Sequence, residues 1–303
     1  MVLAPPPLAA PLRRAVGFPA ILRWWHLLSL DAPSVAALWS WSIGRAIHLH
    51  LPPSSPLLLA LGTWLVYVAD RILDGLPASA PARLRERHLF YARNRKTILA
   101  AAAAVGSLLL WLIVTRMSPA ARREDTELFA VALVYFCLIH LIGRFRRSGP
   151  NDPGIERWVP KEAAVAVVFA AAVAVPAWSR LPGERALLLP LISIFALLCW
   201  LNCVAIEKWE TTRLNLAPLH ASTRWTAHHL RPASSVISVA AVLAALQSLR
   251  AGSPAPMTAL YAACAISAAL FPVLDGSPLD SSQRRIAADA ALLTPLLFIF
   301  VLR

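Results

Sequence analysis

Charge is scarce in this 303-residue chain. Only 15% of its residues are Asp, Glu, Lys or Arg, against about 25% in an average soluble domain. Hydrophobic residues make up 58%, and the mean hydropathy is +0.61. A soluble fold of this size could not cover so much apolar surface. The same numbers exclude disorder, which requires low hydrophobicity. No Gly-rich phosphate loop and no low-complexity tract beyond Ala-rich helix text occurs. The four cysteines, Cys137, Cys199, Cys203 and Cys264, lie in apolar stretches without metal-ligand spacing. They read as small buried apolar residues, not as a disulfide framework. Carboxylates are the scarcer charge, 16 against 29 Lys and Arg, for a formal net charge of +13. In a soluble protein that excess points to nucleic acid. Here basic cytoplasmic loops explain it, and no nucleic-acid partner is expected.

What is present is a series of long apolar runs, which reads as an all-α polytopic membrane bundle. Helices are required because lipid cannot satisfy backbone N–H and C=O groups. Nine spans are expected: Pro33 to Leu51, Pro56 to Leu73, Thr97 to Thr115, Leu128 to Gly143, Glu162 to Trp178, Ala186 to Ile206, Ser234 to Leu249, Pro256 to Phe271 and Ile286 to Leu302. They form one membrane-embedded domain over residues 1–303, with an N-terminal cytoplasmic or interfacial segment over 1–32 and the bundle over 33–302. Arg13 and Arg14 are not followed by a signal-peptide core. Arg23-Trp24-Trp25-His26 reads as an amphipathic segment lying in the interface.

The basic residues orient the bundle. With the N-terminus inside, the inner segments carry 20 of the 29 Lys and Arg and the outer segments carry 7, while Arg45 and Arg71 fall within spans. The positive-inside rule then places the N-terminus in the cytoplasm and the C-terminus outside. The Ala-, Arg- and Pro-rich composition suits a bacterial cytoplasmic membrane.

Ionisable residues at membrane depth are costly and mark functional sites by default. Asp70 and Asp74 end the second span, four residues apart on one helical face. Glu207 and Glu210 end the sixth, with Asn202 a turn deeper. Both spans end on the cytoplasmic side, beside basic loops. Carboxylates facing each other at helix ends suit a Mg²⁺-bound diphosphate, because Mg²⁺ takes hard oxygen ligands and fills its shell with substrate phosphates. Asp70, Asp74, Asn202, Glu207 and Glu210 are the candidate metal ligands. Arg71, Arg87, Arg93 and Lys96 are the candidate diphosphate ligands. The reaction that fits is metal-assisted departure of diphosphate, followed by attack of an acceptor on the allylic cation. Asp70, Asp74 and Arg71 carry the catalysis in that reading.

On these residues the chain resembles the UbiA superfamily of intramembrane prenyltransferases. That family has nine helices and two Asp-rich motifs, after helices two and six. The first motif reads Asn-Asp-x-x-Asp-x-x-x-Asp. Its last two positions match Asp70 and Asp74, and its first two fall on Val66 and Tyr67. In the second motif Asn202, Glu207 and Glu210 stand in for aspartates. The resemblance implies transfer of a prenyl group from a polyprenyl diphosphate to a small-molecule acceptor, with Mg²⁺ as cofactor. Asp70 and Asp74 are then expected to face Glu207 and Glu210 across a cavity walled by Trp64, Phe195 and Trp200.

Plainer readings stand beside these. Asp70 and Asp74 could pair with Arg71 and the basic loop. Glu207 and Glu210 could form a solvated helix end anchored by Lys208 and Trp209. The loop from Arg83 to Lys96 could serve topology and anionic lipid alone. Asp289 reads as a local ion pair with Arg284 and Arg285 at the interface. The same fold could then act in lipid or isoprenoid binding or transport without catalysis. The orientation makes a direct prediction: reporters fused after Arg303 and within residues 83–96 report opposite sides of the membrane. The same side for both would overturn the odd span count.

Overall fold

The computed structural model describes residues 19–75, 86–120, 160–214 and 220–303, with short pieces between 122 and 134. Among the described residues all regular structure is helical. The order is α1 (Ala20–Leu27), α2 (Asp31–Ala46), α3 (Ser54–Gly75), α4 (Glu86–Arg93), α5 (Arg95–Arg116), α6 (Lys161–Trp178), α7 (Leu189–Leu214), α8 (Ala221–His228), α9 (Leu230–Arg250), α10 (Ala255–Asp275), α11 (Ser281–Ala291) and α12 (Ile299–Leu302). Short 3₁₀ turns, Arg185–Leu188 and Thr294–Phe298, lead into α7 and α12.

Among the described residues seven stretches are long and apolar enough to cross a membrane: α3, α5, α6, α9 and α10, α7 with its leading turn, and Ser281–Leu302. The chain is thus an integral membrane protein of helical-bundle type. The expected span over Leu128 to Gly143 lies outside the described residues. The expected first span is shorter than its apolar text. α2 ends at Ala46, where His48 takes a left-handed φ of 56° and Leu49 N–H closes back on Gly44 C=O at 2.9 Å. Pro52 and Pro53 then carry the chain to α3. The last expected span is also broken. The Asp280–Gln283 capping box starts α11 five residues before Ile286. Pro295 in the following 3₁₀ turn interrupts the ladder before α12.

α2, α7 and α10 form the centre. Trp39 of α2 is fully buried, stacks on Phe195 of α7 at 4.2 Å and donates its indole N–H to Leu292 C=O at 2.8 Å. Ala263, Cys264, Ala268 and Phe271 of α10 are also fully buried. Small hydroxyls join neighbouring segments here. Ser267 Oγ donates to Ala291 C=O at 2.7 Å and Thr294 Oγ1 to Ala263 C=O at 2.9 Å. Ser234 of α9 donates to Ala268 C=O. Such bonds, with small residues that let backbones approach, hold membrane helices where burial from water no longer drives association. α5 is peripheral and packs on α3 and α4. Its exposed Leu108, Leu110, Trp111 and Val114 form a lipid-facing band.

The bundle is polar at its two ends and apolar between. One end gathers the starts of α2 and α11 and the finishes of α3, α7 and α10, with α1 and α4 packed beside them. The short helices α1, α4 and α8 fall in text expected as loops or interface. Trp39→Ala should lower stability in detergent by about 3–5 kcal/mol, because it opens a cavity and strands the Leu292 carbonyl. Trp39→Phe should cost less, about 1–3 kcal/mol, because it loses the hydrogen bond to Leu292 but keeps most of the ring volume. Thermal melts followed by circular dichroism would check both, and equal losses would refute the partition.

Candidate functional site

The polar end is built around a turn. α1 closes in a Schellman motif, with Ser29 N–H on His26 C=O at 3.0 Å and Leu30 N–H on Trp25 C=O at 2.9 Å. The residue in the left-handed position, usually glycine, is Ser29 at φ 55°. Its hydroxyl explains the exception. Fully buried, it accepts Arg71 Nε at 2.6 Å and Tyr91 OH at 2.9 Å. One side chain thus ties the α1–α2 turn to α3 and α4.

On either side of that turn stand His26 and Asp31, 5% and 2% exposed. His26 Nδ1 lies 2.8 Å from Asp31 Oδ2, and Ala32 N–H donates to Asp31 Oδ1 at 3.0 Å. Burial pushes the His26 imidazole below its ordinary pKa, against the opposing pull of its Asp31 partner. Asp289 of α11 reaches the same place. Ligand atoms of His26, Asp31 and Asp289 all lie within 4.8 Å of one another. Asn202 of α7 donates Nδ2 to Asp289 Oδ1 at 3.1 Å. A cavity of about 40 Å³ adjoins the group, lined by Tyr67, Phe169, Asn202, Cys203 and Asp289 among others. A buried imidazole with two carboxylates is a donor set able to chelate a divalent metal.

A second cluster lies on the same end. Glu210 of α7 accepts from Arg285 of α11 at 2.7 Å, and Arg87 of α4 stands 3.9 Å away. All three side chains are nearly buried. Arg71 at one terminal nitrogen and Arg87 at Nε are among the buried N–H groups without a hydrogen bond, and the Arg87 terminal nitrogen facing Glu210 at 3.9 Å is beyond hydrogen-bond reach. Lys208 and Trp209 both donate to Asp275, at 3.0 and 2.8 Å, fastening α7 to α10.

The structure therefore brings together some of the residues picked from sequence. Arg71, Arg87, Asn202 and Glu210 are buried at this end. Asp70 and Glu207 are half-buried, and the side chain of Asp74 lies outside the described residues. Arg93 and Lys96 are exposed. Arg93 lines an open groove of about 660 Å³ between α1 and α4, with Arg23, Trp24, Leu27 and Phe90. Among the expected wall residues, Phe195 sits in the core against Trp39. Trp64 donates to Leu28 C=O at 2.9 Å.

Two readings need correction. Asp289 is not a surface ion pair with its neighbours. Arg284 donates to Ser277 C=O at 2.8 Å, Arg285 reaches Glu210, and Asp289 turns inward to Asn202. Residues 285 and 289 are one helical turn apart and share a face, and that face points into the bundle. His26 is likewise buried, not interfacial. Asp31 is a further buried carboxylate of this cluster. The available signal was a carboxylate at the edge of an apolar run, the same criterion that singled out Asp70.

Protein-family models, curated proteins and solved structures were each compared with the chain, and none matches.

The Glu210 cluster yields a stability test. Glu210→Gln leaves Arg285 and Arg87 buried without their counter-charge, for an expected loss of about 3 kcal/mol. Arg285→Met should cost a similar amount. The double variant should lose less than the sum by about 1–3 kcal/mol. Denaturation in detergent measures the cycle, and additive losses would show that the pair is not coupled.

Proposed function

We propose that this protein is a divalent-metal-dependent intramembrane prenyltransferase. It moves a prenyl group from a polyprenyl diphosphate to a small-molecule acceptor at the cytoplasmic face of a bacterial cytoplasmic membrane. The carrying observation is the buried His26, Asp31 and Asp289 cluster, able to hold a metal, beside buried arginines with unpartnered N–H groups. The resemblance in span order and in Asp70 and Asp74 points the same way. So does the excess of basic residues on the inner segments, which puts the polar end in the cytoplasm.

A divalent ion would neutralise diphosphate oxygens as the allylic C–O bond breaks. Arg71 and Arg87 would hold the same diphosphate with N–H groups that already face a protein interior, where charge-assisted bonds are strong. Asp70 and Asp74 remain the proposed ligands for Mg²⁺ entering with the substrate. Asn202 sits beside Asp289 and belongs with the metal. Glu207 lies half-buried on the last turns of α7 and keeps its proposed place at the second motif. Glu210 fits better as the anchor of Arg87 and Arg285 than as a metal ligand, because both guanidinium groups crowd it. The prenyl tail would run toward the apolar part of the bundle. The acceptor gives up a proton as its new bond to the prenyl carbon forms.

The test uses the protein in lipid nanodiscs with radiolabelled polyprenyl diphosphates and a panel of acceptors. Metal-dependent product is expected. Arg71→Gln and Asp74→Asn should each lower its rate by about a hundredfold or more, the scale seen when one electrostatic stabiliser is removed. Saturable binding of the diphosphate without turnover under any divalent ion would replace catalysis by isoprenoid binding. The closed contact of Glu210 with Arg285 and Arg87 favours that second reading. Absence of both binding and turnover would overturn the proposal.

A further inference from the structure

We propose that His26, Asp31 and Asp289, completed by the Asn202 carbonyl oxygen, form a site selective for a borderline transition ion of the Mn²⁺, Fe²⁺ or Zn²⁺ class over Mg²⁺. The inference deepens the function proposed above and rests on its placing of a metal in this cluster.

Geometry is the first argument. His26 Nδ1 and Asp31 Oδ2 are 2.8 Å apart. Two neighbouring ligands around one ion, each with a bond of ~2.1 Å, stand about 3.0 Å apart at a right angle. His26, Asp31 and Asp289, with every pair of ligand atoms within 4.8 Å, close on one ion with small side-chain shifts.

Charge is the second. Two buried carboxylates this close repel unless positive charge or a proton lies between them. Arg71 and Arg285 supply part of that charge from a distance, while their hydrogen bonds include those to Ser29 and Glu210. An ion among His26, Asp31 and Asp289 supplies the balance and takes the place of the proton that His26 and Asp31 share.

Asn202 is the third. It is 7% exposed, and its Oδ1 is buried without a hydrogen-bond partner, although its Nδ2 is fixed on Asp289. A buried carbonyl oxygen left unpaired costs about 1–3 kcal/mol. This one lines the cavity next to Asp289. The volume of about 40 Å³ exceeds the ~10–15 Å³ that one water requires, so an ion can keep a water there.

Ligand chemistry then selects the metal. Mg²⁺ wants oxygen and keeps several waters. An imidazole suits the later first-row ions, whose affinity for nitrogen-bearing sites rises well above that of Mg²⁺. The ligands come from three segments, the α1–α2 turn, α7 and α11. The turn is locked through Ser29, so the site is preorganised.

The experiment measures metal directly and needs no turnover. The full chain in nanodiscs is stripped with chelator and titrated with Mn²⁺, read by electron paramagnetic resonance. One bound Mn²⁺ per chain is expected, with pulsed spectra showing coupling to an imidazole ¹⁴N. A roughly hundredfold excess of Mg²⁺ should leave most of it in place, whereas Zn²⁺ should displace it. His26→Gln should abolish the ¹⁴N coupling, and His26→Gln and Asp289→Asn should each weaken binding about tenfold or more. Asn202→Asp adds a charged oxygen at the same position and should tighten binding, an outcome that no misfolded variant gives. No saturable Mn²⁺, coupling that survives His26→Gln, or displacement by equimolar Mg²⁺ would each overturn the site. Mn²⁺ bound through His26 in a chain without prenyl transfer would keep this inference and remove the function proposed above. Transfer by a chain with no nitrogen-coupled Mn²⁺ would do the reverse.

Discussion

A polar group at membrane depth has no water to turn to, so it must be bonded by another part of the same chain. Most of this structure follows from that constraint. Across the middle of the bundle several polar side chains are bonded to carbonyls of neighbouring segments. Ser234 and Ser267 sit where α9, α10 and α11 come close, and Trp39 fastens α2 to the break after α11. The long charged side chains are gathered at the two ends. A bundle of this kind is a set of apolar shafts whose register is fixed by a handful of directional bonds.

The same constraint makes the polar end dense. Asp275 joins α7 to α10, Glu210 joins α4, α7 and α11, and Ser29 joins the α1–α2 turn to α3 and α4. Each of these residues links segments far apart in sequence. A strained serine in a position normally given to glycine shows the balance of effects. A left-handed serine costs about 1–2 kcal/mol, and two hydrogen bonds in a dry interior offset it. Groups held this firmly are suited to present ligands or phosphate-binding N–H groups in fixed positions, which is what a preorganised site requires.

The chemistry expected at the ends of α3 and α7 lies close to where the structure puts its buried donors, but the donors differ. Carboxylates at Asp70 and Glu207 lie half-buried along the helix flanks, while Arg71 and Asn202 point inward. Neighbouring residues on a helix are turned by about 100°, so a run such as Asp70-Arg71 cannot send both side chains to one place. The inward partner carboxylates come from Asp31 and Asp289, one at the start of α2 and one within α11. The resulting cluster lies at the same end of the bundle as Arg71 and Asn202 and is built from other carboxylates.

Periodic apolar runs, turn residues and the placement of Lys and Arg were enough to read an all-helical membrane bundle and most of its span positions. Those properties depend on hydrophobicity summed over some 20 residues, which survives any detail of packing. The breaks at His48 and Pro295, the short helices α1, α4 and α8, and the inward turn of Asp289 needed the folded chain. A single charged residue at a helix end can face lipid headgroups, solvent or the bundle, and only the neighbours on other helices choose among them. His26, Asp31 and Asp289 are separated by up to 263 positions in the sequence, and no spacing rule connects them. Their meeting is a property of how α1, α2 and α11 pack, because burial forces each carboxylate and imidazole to find whatever partner the tertiary structure brings within reach.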